Sequence, residues 1–411
     1  MTGTTRRPSP DLLVGLGIVA ASALLYWLAN RGFDAGRGDL FYLADAFLHG
    51  RAAIDVRLGP SDVIPAGDLF YVPFAPFPAV ALMPVVALVG PVTADRLEPG
   101  INALLAAYGV GMCWWLLGRI GVERLSDRLW LTLLFGFSTQ ILWVTTRGGV
   151  WHTGHLVATI LTFGCLIELF GRQRPWLIGL LAGAAFLSRA PLAFAVPFYA
   201  LMLEPRIARE AAGVAGGYVE RAVRRIPWDS WVLLAAGVLP SVLAFFLYNQ
   251  VRFGKPFESG YALATLPPFL ERQRAIGLFS LAHVPMNLDY FLFHLPRPIA
   301  VPPFFQPDGL GMSVLLTSPG LLLAFRADWR RPRAWWLLGA ALAVLVPTLL
   351  YYGGGWLQYG YRYFLDSVPF VIALCGLAAV HRGGVGMGWR ALIALGCLVG
   401  AAGVYWAYNL R

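Results

Sequence analysis

Residues 176–203 read WLIGLLAGAAFLSRAPLAFAVPFYALML, with Arg172 and Arg174 just before them and Arg206 and Arg209 just after. Basic residues concentrate in the cytoplasmic loops of membrane proteins. Both flanks therefore belong on the same side, and the chain between them must go out and come back. A full span takes about 20 apolar residues, so this stretch is too short for two. Its natural break is Ser188-Arg189-Ala190-Pro191, where proline removes a ladder donor and the residue before it is pushed out of the helical region. The reading predicts two short helices meeting at membrane depth. Arg189 stands alone at their junction, and a charge there costs about 2.5–3.5 kcal/mol on insertion scales. It needs an anionic ligand, a partner, or a route for snorkelling to the interface.

Composition places the rest of the chain in the same setting. Hydrophobic residues make up 58% of the 411 positions and charged residues 13%, against about 25% charged in a soluble domain. Mean hydropathy is +0.64. That balance excludes a soluble globular enzyme, and the lack of low-complexity or periodic glycine tracts excludes disorder and collagen. The net charge of +10 is not the footprint of a nucleic-acid partner. Apart from Lys255 the cations are arginines in short clusters between apolar stretches. The four cysteines (Cys113, Cys165, Cys375, Cys397) lie inside apolar stretches and imply no disulfide framework.

Besides 176–203, candidate spans run 12–29, 101–118, 129–146, 153–170, 231–250, 311–325, 335–352, 364–380 and 391–408. The first, Leu12 to Leu28, lacks a small-residue cleavage site and reads as a retained helix. The clusters Arg6/Arg7, Arg119–Arg128, Arg172/Arg174, Arg206–Arg225, Arg326–Arg333 and Arg382/Arg390 are assigned to the cytoplasm. Residues 71–90, YVPFAPFPAVALMPVVALVG, are apolar enough to cross, but a crossing there would put Arg119–Arg128 outside. Pro73, Pro76, Pro78 and Pro84 also deny the helix its ladder bonds. They read as a re-entrant or interfacial segment on the outer side. The expectation is an all-α polytopic membrane protein with about eleven crossings, the N-terminus inside and the C-terminus outside. It divides into an N-terminal module, 1–203, a basic cytoplasmic linker, 204–230, and a C-terminal module, 231–411. Outer segments are 31–100, 147–152, 251–310 and 353–363; the first and third are long, as functional loops tend to be.

The first outer loop carries GRGDLFYLADAFLHGRAAIDVR, residues 36–57. Asp39, Tyr42, Ala46 and His49 recur at helical spacing, as do Leu40, Leu43 and Phe47, which predicts an amphipathic helix on the membrane face. It brings Asp39 and Asp45 to the lipid boundary. A carboxylate in a low-dielectric cleft can take a proton from a hydroxyl; equally, Asp39 can cap the helix and Asp45 can pair with Arg51. Arg147-Gly-Gly-Val-Trp-His152-Thr-Gly-His155 sets two histidines one turn apart. They are a conceivable metal pair, but no carboxylate or cysteine nearby completes a site, and a hydrogen-bonded helix start explains them as well. YNQVRFGKPFESGY, residues 248–261, mixes Asn249, Arg252, Lys255 and Glu258 with aromatics, as a loop holding a phosphate and a sugar ring would. In GGGWLQYGYRYFLD, residues 353–366, Arg362 and Asp366 are four apart, so a mutual ion pair is the plain reading, and Tyr359, Tyr361 and Tyr363 suit an aromatic belt. No phosphate-binding glycine loop is present. The outer cations and carboxylates suggest a lipid-phosphate substrate reached from the bilayer.

At these residues the chain resembles the GT-C superfamily of membrane glycosyltransferases, which includes protein O-mannosyltransferases and the aminoarabinose transferase of lipid A. The matching features are one N-terminal span followed by Gly38-Asp39…Tyr42…Ala46…Gly50, the polar junction Arg147 to His155, the basic residue at a helical break, Arg189, and the late segments 248–261 and 355–370. The sequence departs from the family where Leu40 follows Asp39 in place of the frequent Asp-Glu pair, and where His152 and His155 stand in a junction that often holds Asp. The resemblance implies a GT-C-like bundle and a polyprenyl-phosphate sugar donor. It also implies a lipid or glycan acceptor and an active site on the outer face of the plasma (inner) membrane; the arginines can neutralise the phosphate charge, so the chemistry needs no metal and no cofactor is expected.

On that reading Asp39, or else Asp45, is the base. Arg189, Lys255, Arg362 and Arg252 hold the donor phosphate. Tyr42, His49, Arg147, His152, His155, Tyr261, Tyr361 and Tyr363 line the substrate site. The rival readings are a flippase for lipid-linked sugars and a non-catalytic lipid-binding scaffold. The transferase reading requires Asp39 or Asp45 to face an outward cavity that also holds at least two of the cations.

Overall fold

The computed structural model describes residues 10–31, 37–57, 59, 62–203, 227–302 and 304–409. Arg6, Arg7, Arg206, Arg209, Arg221, Arg224, Arg225 and most of the 204–230 linker lie outside the described residues. The architecture is a helical bundle. Its longer helices are α1 (Pro10–Asn30), α5 (Glu98–Ile120), α8 (Val150–Leu169), α11 (Trp228–Phe253), α15 (Pro332–Leu350) and α17 (Met387–Asn409). Between them lie α2 (Asp39–Leu48), α3 (Phe77–Val89), α4 (Pro91–Arg96), α6 (Leu125–Phe137), α7 (Ile141–Arg147), α9 (Pro175–Phe186), α10 (Val196–Met202), α12 (Pro268–Arg274), α13 (Val284–Leu288), α14 (Val314–Thr317) and α16 (Val368–Arg382). Two small hairpins, β1–β2 (Ile64–Ala66 with Leu69–Tyr71) and β3–β4 (Arg297–Pro298 with Phe305–Gln306), complete it.

Helix ends follow local chemistry. Prolines sit in the first turns of α5, α9, α15 and α16, where a missing N–H costs nothing. The left-handed glycines Gly121, Gly254 and Gly383 stop α5, α11 and α16.

The six long helices are apolar enough to cross a membrane, and the bent pair α6–α7 makes a seventh span if counted as one. That is fewer than the eleven expected, for identifiable reasons. The stretch 311–325 forms only the four-residue α14 and a 3₁₀ turn, Pro319–Arg326, because Ser318-Pro319-Gly320 interrupts it. The stretch 364–380 divides into a 3₁₀ turn, Arg362–Asp366, and the 15-residue α16. Residues 176–203 break where expected, into α9, a 3₁₀ turn (Ala190–Ala195) and α10. α3 has 13 residues, or roughly 20 Å at 1.5 Å per residue, short of a bilayer core of about 30 Å.

One core runs from Tyr26 to Ala407 and joins α1, α5, α6, α8, α9 and α15–α17. A second, smaller cluster packs Leu40, Phe41, Leu43 and Ala44 of α2 against Ala79, Leu82 and Val86 of α3. This is a departure for α2. Its apolar face is buried against protein, and Asp39 is 0% exposed. Along α9 and α11, small residues replace side-chain packing. A Cβ on Gly179 would sit 2.1 Å from the Leu234 carbonyl oxygen, one on Gly237 2.2 Å from that of Trp176, and Gly183 faces Ser241. Such stripes let helix backbones approach closely.

Candidate active site

A cavity of about 970 Å³ opens where α8, the α9–α10 break, α11 and α15 come together. The segment 73–78 and residues between Phe257 and Phe279 form further walls. These are the proline-rich segment and the long loop that sequence singled out. The lining includes the apolar Phe186, Leu187, Phe194, Phe245, Val346, Pro347 and Leu350. It also carries Arg147, His152, Arg189, Arg252, Tyr261, Arg362 and Tyr363. These seven residues come from positions more than 200 apart in sequence and were all expected at the site. Of the described residues, Asp62 is the acidic one on this lining.

Each side chain is placed by a local device. Gly148 and Gly149 both have positive φ, 63° and 88°, which glycine adopts freely. They turn the chain sharply between Arg147 and His152. The buried Glu98 carboxylate fixes that turn, accepting from the Gly149 N–H at 2.8 Å, Thr153 Oγ1 at 3.2 Å and Asn102 Nδ2 at 3.3 Å. Arg189 donates from Nε to Asp366 Oδ2 at 3.0 Å, and Asp366 Oδ1 lies 2.8 Å from His155 Nδ1. Asp366 and His155 are both 0% exposed. The expected Arg362–Asp366 pair does not form, because the segment is 3₁₀ and not α-helical, so residues four apart do not share a face. Arg362 instead donates from Nη1 to the Trp356 carbonyl at 3.1 Å and lies over the Tyr363 ring. Arg252 spends its fork on the protein, giving Nη1 to the Val72 carbonyl at 3.0 Å and Nη2 to Asn249 Oδ1 at 2.8 Å, beneath Tyr248. It clamps α11 to the proline-rich segment. Buried Nε2 of His152 and Nε of Arg362, both in cavity-lining residues, have no hydrogen-bond partner among the described residues.

Asp62 closes the roof. Its N–H donates to the Thr265 carbonyl at 2.8 Å and the Thr265 N–H to the Val63 carbonyl at 3.1 Å, so the first and third outer loops are stitched together there. Its φ is +58°, a region Asp tolerates better than most residues. Burial raises its carboxyl above the usual carboxylate range, against the opposing pull of Arg37, the Trp151 indole and Arg362.

The other expected site residues stand elsewhere. Asp39 is buried at the start of α2 and paired with Arg37 Nε at 3.0 Å. Asp45 pairs with Arg51 and His49, each at 3.6 Å; His49 is exposed and Tyr42 half-buried, both outside the lining. Lys255 is exposed in the turn after α11. His155 lies behind the wall, reaching it through Asp366. Tyr361 is buried, with its hydroxyl on the Thr348 carbonyl at 3.2 Å. Asp62 and Glu98 are the acids sequence reasoning missed, and Asp366, singled out as the partner of Arg362, pairs with Arg189 instead. No group of three potential metal ligands occurs among the described residues.

Two solved structures are similar. ArnT from Cupriavidus metallidurans, bound to undecaprenyl phosphate, matches with a TM-score of 0.49 and 16% identity over 90% of this chain and 61% of that one. The Archaeoglobus fulgidus oligosaccharyltransferase in the apo form matches with a TM-score of 0.51 and 14% identity, over 96% of this chain and 55% of that one. The chain thus spans about three fifths and just over half of their lengths. The second likeness places it in the GT-C fold. No protein-family model and no curated protein matches the sequence.

Proposed function

We propose that the chain is a membrane glycosyltransferase that moves a sugar from a polyprenyl-phosphate donor to an acceptor hydroxyl at the outer face of the plasma membrane. The observation that carries this reading is one cavity whose described lining combines four arginines, one carboxylate and many apolar side chains. Arginine forks match phosphate oxygens, and Phe194, Phe245, Val346 and Pro347 suit an isoprenoid chain. The donor phosphate would sit between Arg189, Arg362 and Arg147; Arg252, already engaged, shapes the wall.

The acceptor O–H loses its proton to a carboxylate as its oxygen bonds the anomeric carbon. The bond from that carbon to the phosphate oxygen breaks, and the electron pair leaves on the phosphate, opposed by the guanidinium charges. Attack from the side away from the phosphate inverts the anomeric centre. Asp62 fits the proton acceptor better than Asp39 or Asp45, because it lines the cavity and they do not. A bound ligand would also satisfy the orphan nitrogens of His152 and Arg362.

A transfer assay with the purified chain and a panel of polyprenyl-phosphate sugars tests this. Wild type should transfer, and Asp62→Asn and Arg189→Gln should not approach its rate. Absence of transfer across the panel, or full activity in both variants, overturns the reading.

A further inference from the structure

Outside the main cavity lies a smaller pocket of about 330 Å³. We infer that it grips one sugar ring of a carbohydrate acceptor. The inference rests on the transferase reading and specifies the acceptor class that the reading leaves open.

The pocket is walled by the β3–β4 hairpin, the turn after it, and Trp356-Leu357. Arg297 and Gln306 face each other in the hairpin register, and both belong to the lining. The Gln306 amide has no side-chain partner among the described residues, and the Arg297 guanidinium stands 4.0 Å from the Asp308 carboxylate, beyond hydrogen-bond reach. Asp308 is held in place, accepting from the Leu310 N–H at 2.9 Å and lying 3.3 Å from His294 Nε2. Trp356 is 46% exposed, and its indole N–H donates to no protein group among the described residues. An apolar plane beside a loosely ion-paired guanidinium, an unengaged amide and a fixed acceptor is what a pyranose requires. Its C–H face stacks on the ring and its hydroxyls take paired hydrogen bonds. The volume is at the low end for small-molecule pockets, enough for a ring and too small for an isoprenoid chain.

Two features tie this pocket to the main site. Trp356 and Leu357 line both spaces, and the Trp356 carbonyl receives the Arg362 guanidinium at 3.1 Å. The dividing wall is also held rigidly. The Gln358 N–H donates to the Gly309 carbonyl and its Nε2 to the Gly354 carbonyl, each at 2.9 Å. Leu357 has a φ of +49°, a conformation a leucine keeps only under constraint, and such constraint gathers at functional sites. A ring seated against Trp356 leaves its neighbour in the glycan to reach the main cavity, whose lining Trp356 and Leu357 share. The acceptor is therefore a glycan of at least two units.

The test uses the full chain in nanodiscs without donor. Saturation-transfer NMR is recorded with methyl hexopyranosides and the corresponding disaccharides. At least one disaccharide should show ring-proton saturation, lost in Trp356→Ala and weakened about tenfold in Gln306→Ala, an exposed change that leaves the fold intact. Added undecaprenyl phosphate should not displace it. No saturation by any sugar, equal saturation in Gln306→Ala and wild type, or displacement by undecaprenyl phosphate overturns the inference. Because this measurement needs no donor, sugar binding here together with absence of transfer in the donor-panel assay would reject the transferase reading and leave the sugar pocket standing.

Discussion

The first outer loop contains two aspartates in opposite situations. Asp39 heads a regular helix, is 0% exposed, and is neutralised at 3.0 Å by Arg37. Asp62 sits in an irregular turn at positive φ and lines the cavity, and burial keeps its carboxyl raised against the pull of Arg37, the Trp151 indole and Arg362. The two are joined through one ring, since Arg37 lies 4.7 Å over Trp151 and the Trp151 indole acts on Asp62. A carboxylate already paired with a guanidinium is a poor base, because the pairing favours its charged form and covers its lone pairs. A partly desolvated one facing a cavity has both reach and basicity. Environment thus separates two chemically identical side chains into a structural role and a proposed catalytic one.

The largest effect should come from Asp62→Asn, with kcat/KM for transfer falling by about 10²–10⁴. The pH profile sharpens this. Protonation of Asp62 removes the base, so wild-type transfer should decline on the acid side at a pH above the ordinary carboxylate value of about 3.9, and Asp62→Asn should lack that limb. Stability should run the other way. With its carboxyl raised on folding, Asp62 favours the native state most when protonated, a contribution lost as pH rises through its native value. The thermal midpoints of wild type and Asp62→Asn should diverge accordingly.

Next in size is Asp366→Asn. Removing one partner of a buried pair costs about 3–5 kcal/mol in stability. By freeing Arg189 it should raise the donor KM by about 10–100-fold. Combining it with Arg189→Gln should be clearly non-additive in a double-mutant cycle. Asp39→Asn should destabilise the fold by a similar mechanism, yet change turnover per folded molecule by less than about tenfold. Abolished turnover in a stable Asp39→Asn protein would break the comparison. Asp45→Asn should be the smallest, within about twofold in both readouts, since half-exposed pairs at 3.6 Å contribute about 0–1 kcal/mol.

Much of this architecture is legible in the sequence because charges are scarce in it. Arg189, Arg252 and Arg362 stand out against apolar surroundings, and all reach the cavity. The break at Ser188–Pro191 and the expectation of a non-spanning proline-rich segment follow from charge placement and proline chemistry together. What escapes is pairing at long range. Asp366 finds its partner at Arg189, 177 residues away, while its local candidate Arg362 is turned aside by a 3₁₀ segment. Asp62 has no periodicity to betray it, and its position depends on a backbone bond to Thr265 in another loop. Asp39 and Asp45 were conspicuous because they lie on a helix, and helical spacing identifies a face without saying what covers it. Lys255 was noticed for its charge, which water solvates instead.

The glycine seam between α9 and α11 acts as a fulcrum. From Gly237 to Arg252 the helix α11 rises roughly 22 Å at 1.5 Å per residue. Gly237 rests directly on the backbone of α9, and Arg252 pins the proline-rich wall. Any side chain added at Gly179 or Gly237 must tilt α11 as a lever, swinging that clamp and reshaping the mouth of the cavity from the opposite end of the rod. The width of the entrance is thus set by the absence of atoms far from it.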